Sequence, residues 1–532
     1  MIKRIFVLLV LLNIVILPQT LLDVPKFRIY PGSMTQTEPV ATVHPQNSSI
    51  IFASAVTINI TNGFRSEGVY TSSDGGYTWM GNDTCTGPSI VNHGGDPGVV
   101  VSNNNRLILS HIGNLFPGMF TNYSDDMGET WSAAKTITSN LIEDKGTLAV
   151  DHSAQSTYQG RLYLAWVDYV NVSVQTSYST DDGDSWTQPM QVNPTPPTRS
   201  TGSSIVTGTD GTVYLCWAGV TSNSSFVEDY IGFARSTDGG TSWNVNQNII
   251  DMNGIAGLLA EKNNIRVNSI PQIEMDRSGG TRDGWLYIVT TEKNNSPAGT
   301  DPDIILHRST DNGASWSQGI RVNQDPVNNG KIQYFPFLNV DESGNLDIIY
   351  YDDRNTTSDS AAVVIARSAN GGDNWKDYAI KNSTFKPKPI SGGTSGYQGD
   401  HIALLSNDTH LNAFWMADYS GVYQIWSSVI DLTLLGTIDG SSRPPEDFAL
   451  YQNYPNPFNP STVIRFSIPK ESFVTLKIYN SLGQEVQTLV QSLQHSGDHE
   501  VSFKPRHLSS GVYFYTLRAG DFQDSRKMLL LK

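Results

Sequence analysis

Six copies of an eight-residue pattern, Ser-x-Asp-x-Gly-x-x-Trp, constrain this chain more than any other feature. They occupy residues 72–79, 124–131, 179–186, 236–243, 309–316 and 368–375, the last with Asn370 where the others have Asp. Their tryptophans fall 52, 55, 57, 73 and 59 residues apart, a period that points to an array of similar β units and not to one continuous core. The pattern has a local logic. The Asp carboxylate and the Ser hydroxyl accept backbone N–H groups inside a tight hairpin, Gly supplies the positive φ, and Trp covers the turn. Asp74, Asp126, Asp181, Asp238, Asp311 and Asn370 are accordingly read as structural.

A chain of 532 residues exceeds the roughly 250–300 at which a single core stops growing. A radial repeat escapes that limit, because each unit buries its faces only against its neighbours. No run shows helical periodicity, so the chain reads as all-β. A net charge of −16 disfavours nucleic acid and anionic membrane surfaces as partners. Cys85 and Cys216 lie in different repeats without metal-ligand spacing and read as buried thiols. Sequence leaves open whether they pair. At the N-terminus Lys3-Arg4 precede the apolar run 5–17, too short to cross a bilayer but suited to an export signal, assigned to residues 1–20. The mature protein is expected to lack a transmembrane segment.

Each Asp turn belongs to a longer unit of four strands, seen whole in 335–340, 346–351, 362–368 and the stretch from Trp375 onward. A seventh unit at 401–429 lacks both the Asp turn and a fourth strand. Residues 26–30 (Lys-Phe-Arg-Ile-Tyr) resemble the fourth strand at 319–323 and would close the ring from the other end of the chain. The expectation is a seven-bladed β-propeller over residues 24–435, with six blades as the alternative. Residues 436–446 have linker composition, and 447–532 read as a separate, small β-sandwich-like module.

These repeats resemble the BNR/Asp-box repeats of the sialidase-like propeller superfamily. Tyr454-Pro-Asn-Pro-Phe-Asn-Pro, Gly483-Gln-Glu-Val, Leu508-Ser-Ser-Gly-Val-Tyr and the terminal Lys-Met-Leu-Leu-Leu-Lys are similar to the C-terminal sorting domain of the type IX secretion system. That resemblance implies export, passage through the type IX machinery as a partner, and release outside the cell or attachment to its surface.

Propeller geometry puts the Asp turns on the face opposite any axial site. The residues just before the innermost strands, aligned on Pro39, Pro97, Pro271 and Pro336, form the column Glu38, Asp96, Lys145, Gly202, Ile270, Phe335 and Asp400, with Asp144 adjoining. Such a ring could coordinate Ca²⁺, bind sugar hydroxyls, or run acid–base chemistry with a raised carboxyl pKa. Capping of strand N–H groups is the bland alternative. Asp96 and Asp400, with Tyr397, are the catalytic candidates. Tyr397 sits where sialidases place a nucleophilic Tyr, though the repeats assign no partner Glu. Glu38, Asp144, Lys145, Asp353 and Arg354 are the substrate-binding candidates, the last two weighed against an ion pair within one blade. Sialidases grip the substrate carboxylate with three arginines. Here the matching column holds Thr37, Gly95, Asp144, Thr201, Ser269, Tyr334 and Gly399, so the pattern fails there. The sequence therefore points to a glycan-recognising propeller, with glycoside hydrolysis open. A non-catalytic adhesion propeller, using exposed Phe64, Phe116 and Phe226, and an exo-sialidase are the other two readings.

Overall fold

The computed structural model describes residues 19–435 and 448–531, except 86–92, 115–116, 141, 195–198, 222–225, 392, 408, 454–455, 471, 495–496, 506–507 and 521. Residues 1–18 of the expected export signal, the linker and Phe116 lie outside the described residues. The chain divides into two compact units, 1–438 and 439–532.

Among its described residues the first unit holds seven antiparallel meanders and one short hairpin. The innermost strands are Thr35–His44, His93–Val101, Glu143–Val150, Arg199–Thr207, Gln272–Met275, Gln333–Val340 and Ala403–Ser406. Each touches the next, and the last touches the first. Second strands such as Leu162–Asp168 are buried along their whole length, which is why they read as unbroken apolar runs and not as alternating ones. The seventh sheet is completed by Phe27–Arg28, with Phe27 opposite Ser427 and Arg28 opposite Trp426. One addition was not anticipated. Thr20–Leu22 pairs in parallel with Lys376–Ile380 as a fifth strand on the sixth sheet. The two N-terminal strands thus cover the outer edges of two adjacent sheets, edges that would otherwise present unpaired backbone. Thr20 was assigned to the export signal, and here it belongs to this strand.

The Asp turns behave as their chemistry demands. In the third, Ser179 donates to Asp181 at 2.8 Å and accepts from Gly183 N at 2.9 Å, and Asp181 accepts from Ser185 N and Oγ at 2.9 and 2.5 Å. Asn370 reproduces the first contact and accepts from Asn374 N at 2.9 Å, so a neutral acceptor suffices. The tryptophans do more than cover their own turns. Trp131 packs on Phe52 of the preceding sheet at 5.7 Å between ring centroids, Trp316 on Phe233 at 5.4 Å, and Trp79 on Phe414 of the seventh sheet at 5.7 Å. Each of these staples its sheet to the one before, and Trp79 does so at the seam where the two ends of the chain meet. Cys85 and Cys216 are free and buried in separate parts of the core, so no disulfide joins them.

The second unit has a three-stranded and a four-stranded sheet. Ile464, Phe466 and Ile468 of one share a core with Val474, Leu476, Ile478, Tyr515, Leu517 and Met528 of the other. Thr462–Ile468, Ser472–Asn480 and Gly511–Ala519 are the inner strands of these sheets. Glu485–Gln494, Gly497–Phe503 and Phe522–Leu530 lie at their edges.

Candidate functional site

Of the column of residues read as preceding the innermost strands, Ile270 and Asp400 do so, whereas the other five lie inside their strands. Glu38, Asp96, Lys145, Gly202 and Phe335 all adopt φ between 53 and 58°, and each sits where the pairing to the second strand slips. This is a β-bulge repeated in five sheets, with a left-handed residue that only glycine adopts freely. Non-glycine residues held there cost roughly 1–3 kcal/mol each and cluster at functional sites. The bulge removes one side chain per sheet from the ladder. Their fates differ. Phe335 is buried against Tyr334 and Tyr351 and belongs to the core. A side chain on Gly202 would collide with Ile270, which is half-buried.

The charged members meet at one mouth. Asp96 accepts a hydrogen bond from the backbone N–H of Lys145 at 3.0 Å, joining the second sheet to the third. The Asp144 carboxyl shares a hydrogen bond with Asp96 and accepts another from Tyr169 at 3.1 Å; Tyr169 also bonds Thr201 at 2.8 Å. Tyr397 donates to Glu38 at 3.1 Å, supplying the Tyr–Glu contact that the repeats could not assign. Asp400 is gripped by Arg266, whose Nη2 and Nε lie 2.5 and 3.3 Å from its two oxygens. Lys145 Nζ donates to Nδ1 of His401 at 2.9 Å.

Electrostatics divide these groups. Glu38 is only 1% exposed. Burial first, then the Asp400 and Asp96 carboxylates, push its acid well above the usual range against the pull of Lys145 and Tyr397. Asp144 is raised in the same sense by burial, then by the charge of Asp96 and the bond to it. Burial and then Glu38 raise the Tyr397 phenol. Burial and the Lys145 charge keep His401 neutral, with its Nε2 buried and unpartnered. The mouth therefore holds two acids raised above the usual carboxylate range by burial and acidic neighbours, Glu38 and Asp144. Beside them lie two carboxylates with cationic or N–H partners, Asp400 and Asp96. Beneath it runs an axial cavity of about 280 Å³ whose wall includes Asp96, Lys145, Ser203, Gln272, Glu274 and His401.

Asp353 and Arg354 lie elsewhere. Arg354 forms ion pairs with Asp352 and Asp377, each at 2.5 Å, and donates to Tyr350 at 3.1 Å. Asp353 holds the fully buried Lys262 at 2.5 Å. These partners all lie within the sheets or loops around them, so the expectation that this pair faces substrate is corrected to internal ion pairing. Sequence reading also missed Arg266, Asn268, Tyr169 and His401. Three of them lie in connecting segments or beside the column, and only the long interval of 73 residues between Trp243 and Trp316 hinted at the insertion that carries Arg266 and Asn268. Among the described residues no group of three or more His, Cys, Asp or Glu side chains is arranged to hold a metal ion. The mouth carboxyl groups have Lys145 and Arg266 as neighbours.

Comparison with known proteins agrees with this architecture. Residues 25–253 and 170–435 match the BNR repeat-like domain, and residues 452–531 match the secretion system C-terminal sorting domain. No curated protein matches the chain. Among solved structures, a Hadza microbial sialidase is 15% identical over 64% of this chain and 66% of its own, with a TM-score of 0.36, so the chain spans just under two thirds of its length. A leech intramolecular trans-sialidase is 13% identical over 65% and 68%, with a TM-score of 0.39. The Penicillium chrysogenum α-L-arabinanase is 12% identical over 69% and 98%, with a TM-score of 0.39. With most of its length matched by that first family model, the chain belongs to the BNR repeat-like family and carries a secretion system C-terminal sorting domain over residues 452–531.

Proposed function

We propose that this chain is a secreted or surface-attached, seven-bladed propeller that recognises an uncharged glycan at its axial mouth. Its C-terminal two-sheet sandwich serves as the sorting module. The observation that carries the reading is the convergence of Glu38, Asp96, Asp144, Lys145 and Asp400 from four sheets, three of them through the same strained bulge. Sugar hydroxyls both donate and accept. A mouth that combines carboxyl groups, a phenol, an ammonium and a guanidinium offers both kinds of partner within one small area.

Hydrolysis is a second reading, favoured by the acids themselves. Glycoside cleavage needs a carboxyl that keeps its proton near neutrality beside one that does not. The raised acids Glu38 and Asp144 are the candidates for the first role, and Asp96 and Asp400, which accept from the Lys145 N–H and from Arg266, lie beside them. Sialosides are not the class proposed. Among the described residues Arg266 is the arginine at the mouth, and it already holds Asp400 and is not free to grip a substrate carboxylate. A protein-binding surface would instead rely on Phe64 and Phe226, which are 37% and 66% exposed.

A glycan array tests the reading. Wild type is expected to bind neutral oligosaccharides, and Asp96→Asn or Asp400→Asn to weaken binding by about tenfold or more. Binding that survives both substitutions would remove the mouth from consideration. Turnover of a fluorogenic sialoside, abolished by Tyr397→Phe, would contradict the uncharged class.

A further inference from the structure

The insertion responsible for the long fourth interval is a strap fixed across one side of the mouth. It comprises residues 253–268 and contains the hairpin Gly257–Leu259 with Ile265–Val267, in which Leu258 faces Arg266. It leaves the fourth sheet and returns to the fifth, yet its anchors lie further round. Ile255, Ile265 and Val267 are buried in the core shared with Phe385, Ile390 and Ile402. Lys262, in a single 3₁₀ turn, is fully buried and holds Asp353, with a second bond to the carbonyl of Ser358. Asn263 donates to the carbonyl of Pro387 at 2.7 Å, and Arg266 N to that of Gly396, also at 2.7 Å. At its root, buried Glu228 accepts from Ser269 N at 2.9 Å and Ala256 N at 3.3 Å. An isolated lysine so buried would be strongly unfavourable; paired and hydrogen-bonded it fixes one arrangement.

The product of this anchoring is the position of Arg266. Its side chain is 38% exposed, and its guanidinium lies 5.3 Å from the centre of the Tyr397 ring. Two of its nitrogens bind the two oxygens of Asp400, while Nη1 reaches only Thr394 Oγ1 at 3.4 Å. Asn268 donates to the Asp400 carbonyl at 3.1 Å and steadies the acceptor. From the solvent side the pair presents N–H donors directly beside a carboxylate acceptor. Two hydroxyls on adjacent sugar carbons complement that array, one accepting from the guanidinium and its neighbour donating to the carboxylate. Because the charges already compensate each other, the pair has no net preference for an anion.

We propose that the strap determines the specificity of the mouth. The Arg266–Asp400 pair recognises a vicinal diol of an uncharged sugar, and Lys262, acting through Arg266, is a positioning residue. This rests on the reading of the mouth as a glycan site.

The test uses the full chain on an array of neutral plant and microbial oligosaccharides, each printed intact and after periodate cleavage of its vicinal diols. Wild type is expected to prefer the intact form. Arg266→Ala, a half-exposed position that leaves the core untouched, should weaken binding to intact glycans about tenfold. Arg266→Lys should not restore it, because an ammonium lacks the fork. The pair Lys262→Met with Asp353→Asn, which removes both charges while keeping an acceptor for Ile332 N, should weaken binding similarly. Added to Arg266→Ala it should bring no further loss. Wild-type affinity in Arg266→Ala would overturn the strap proposal and leave the mouth reading standing. Independent, additive losses would deny Lys262 its positioning role. Absence of any glycan bound by wild type would sink both readings together.

Discussion

Arg354→Met is expected to destabilise the propeller by about 3–5 kcal/mol, the cost of leaving buried charge uncompensated. The guanidinium is about 10% exposed and lies 2.5 Å from Asp352, 2.5 Å from Asp377 and 3.7 Å from Asp325, three side chains that are themselves 1–4% exposed. Arg321 still serves Asp325 at 3.0 Å, but among the described residues Asp352 and Asp377 pair with no other cation. Even with Arg354 present, burial lifts Asp352 to about 6 and raises Asp377. Removing the cation pushes both higher still, so protonation will relieve the defect in acid. The loss in thermal midpoint should therefore be large at pH 8 and much smaller at pH 5. Equal losses at the two pH values would show that Arg354 acts through packing and not through charge.

The second large effect concerns pH itself. Burial raises Glu228 from 4.5 in the open chain to about 7 against its three backbone N–H bonds, and burial raises Glu143, with Asp168 beside it, to about 7. Asp347 is lifted to about 7, again by burial, despite Arg367. Glu38, Glu67 and Asp144 are displaced in the same direction. A carboxyl whose folded pKa exceeds its unfolded one binds more protons when folded. Its contribution is full below about 4.5 and is lost as pH rises through 7. For Glu228 alone the displacement is worth on the order of 3 kcal/mol by pH 8. The Asp turns act oppositely: Ser and Thr hydroxyls and backbone N–H groups hold Asp126 and Asp311 below the ordinary range, so their support disappears below about pH 4. Calorimetry should find the propeller most stable near pH 5 and distinctly less so at pH 8. Glu228→Gln should recover part of the loss at pH 8 while changing little at pH 5. A midpoint that rises steadily from pH 5 to 8 would contradict these assignments.

What the sequence disclosed and what it withheld follow from the range of the interactions. The Asp turns are closed by bonds spanning two to four residues, so a motif encodes them completely. The closing strand at Phe27–Arg28 was recognisable because an outer strand repeats a local pattern, seen again at Ile320–Arg321. The acidic column was found by alignment on proline, but its bulge was not, since a left-handed Glu38 or Asp96 has no composition signature. The mouth depends on contacts between residues more than a hundred positions apart, such as Tyr397 with Glu38 and Arg266 with Asp400. Asp353 and Arg354 misled for the complementary reason. Adjacent charges in sequence suggested one site, whereas alternation along the chain sends them to different partners, Lys262 and Asp377.

Amide hydrogen exchange on the full chain, with and without the best-bound neutral oligosaccharide, addresses the mouth most directly. Added ligand should slow exchange in 37–40, 95–98, 144–147, 264–268 and 396–401, and leave the six Asp turns on the opposite face unchanged. Protection confined to those turns or to the C-terminal unit, with the mouth segments unaltered, would contradict the account.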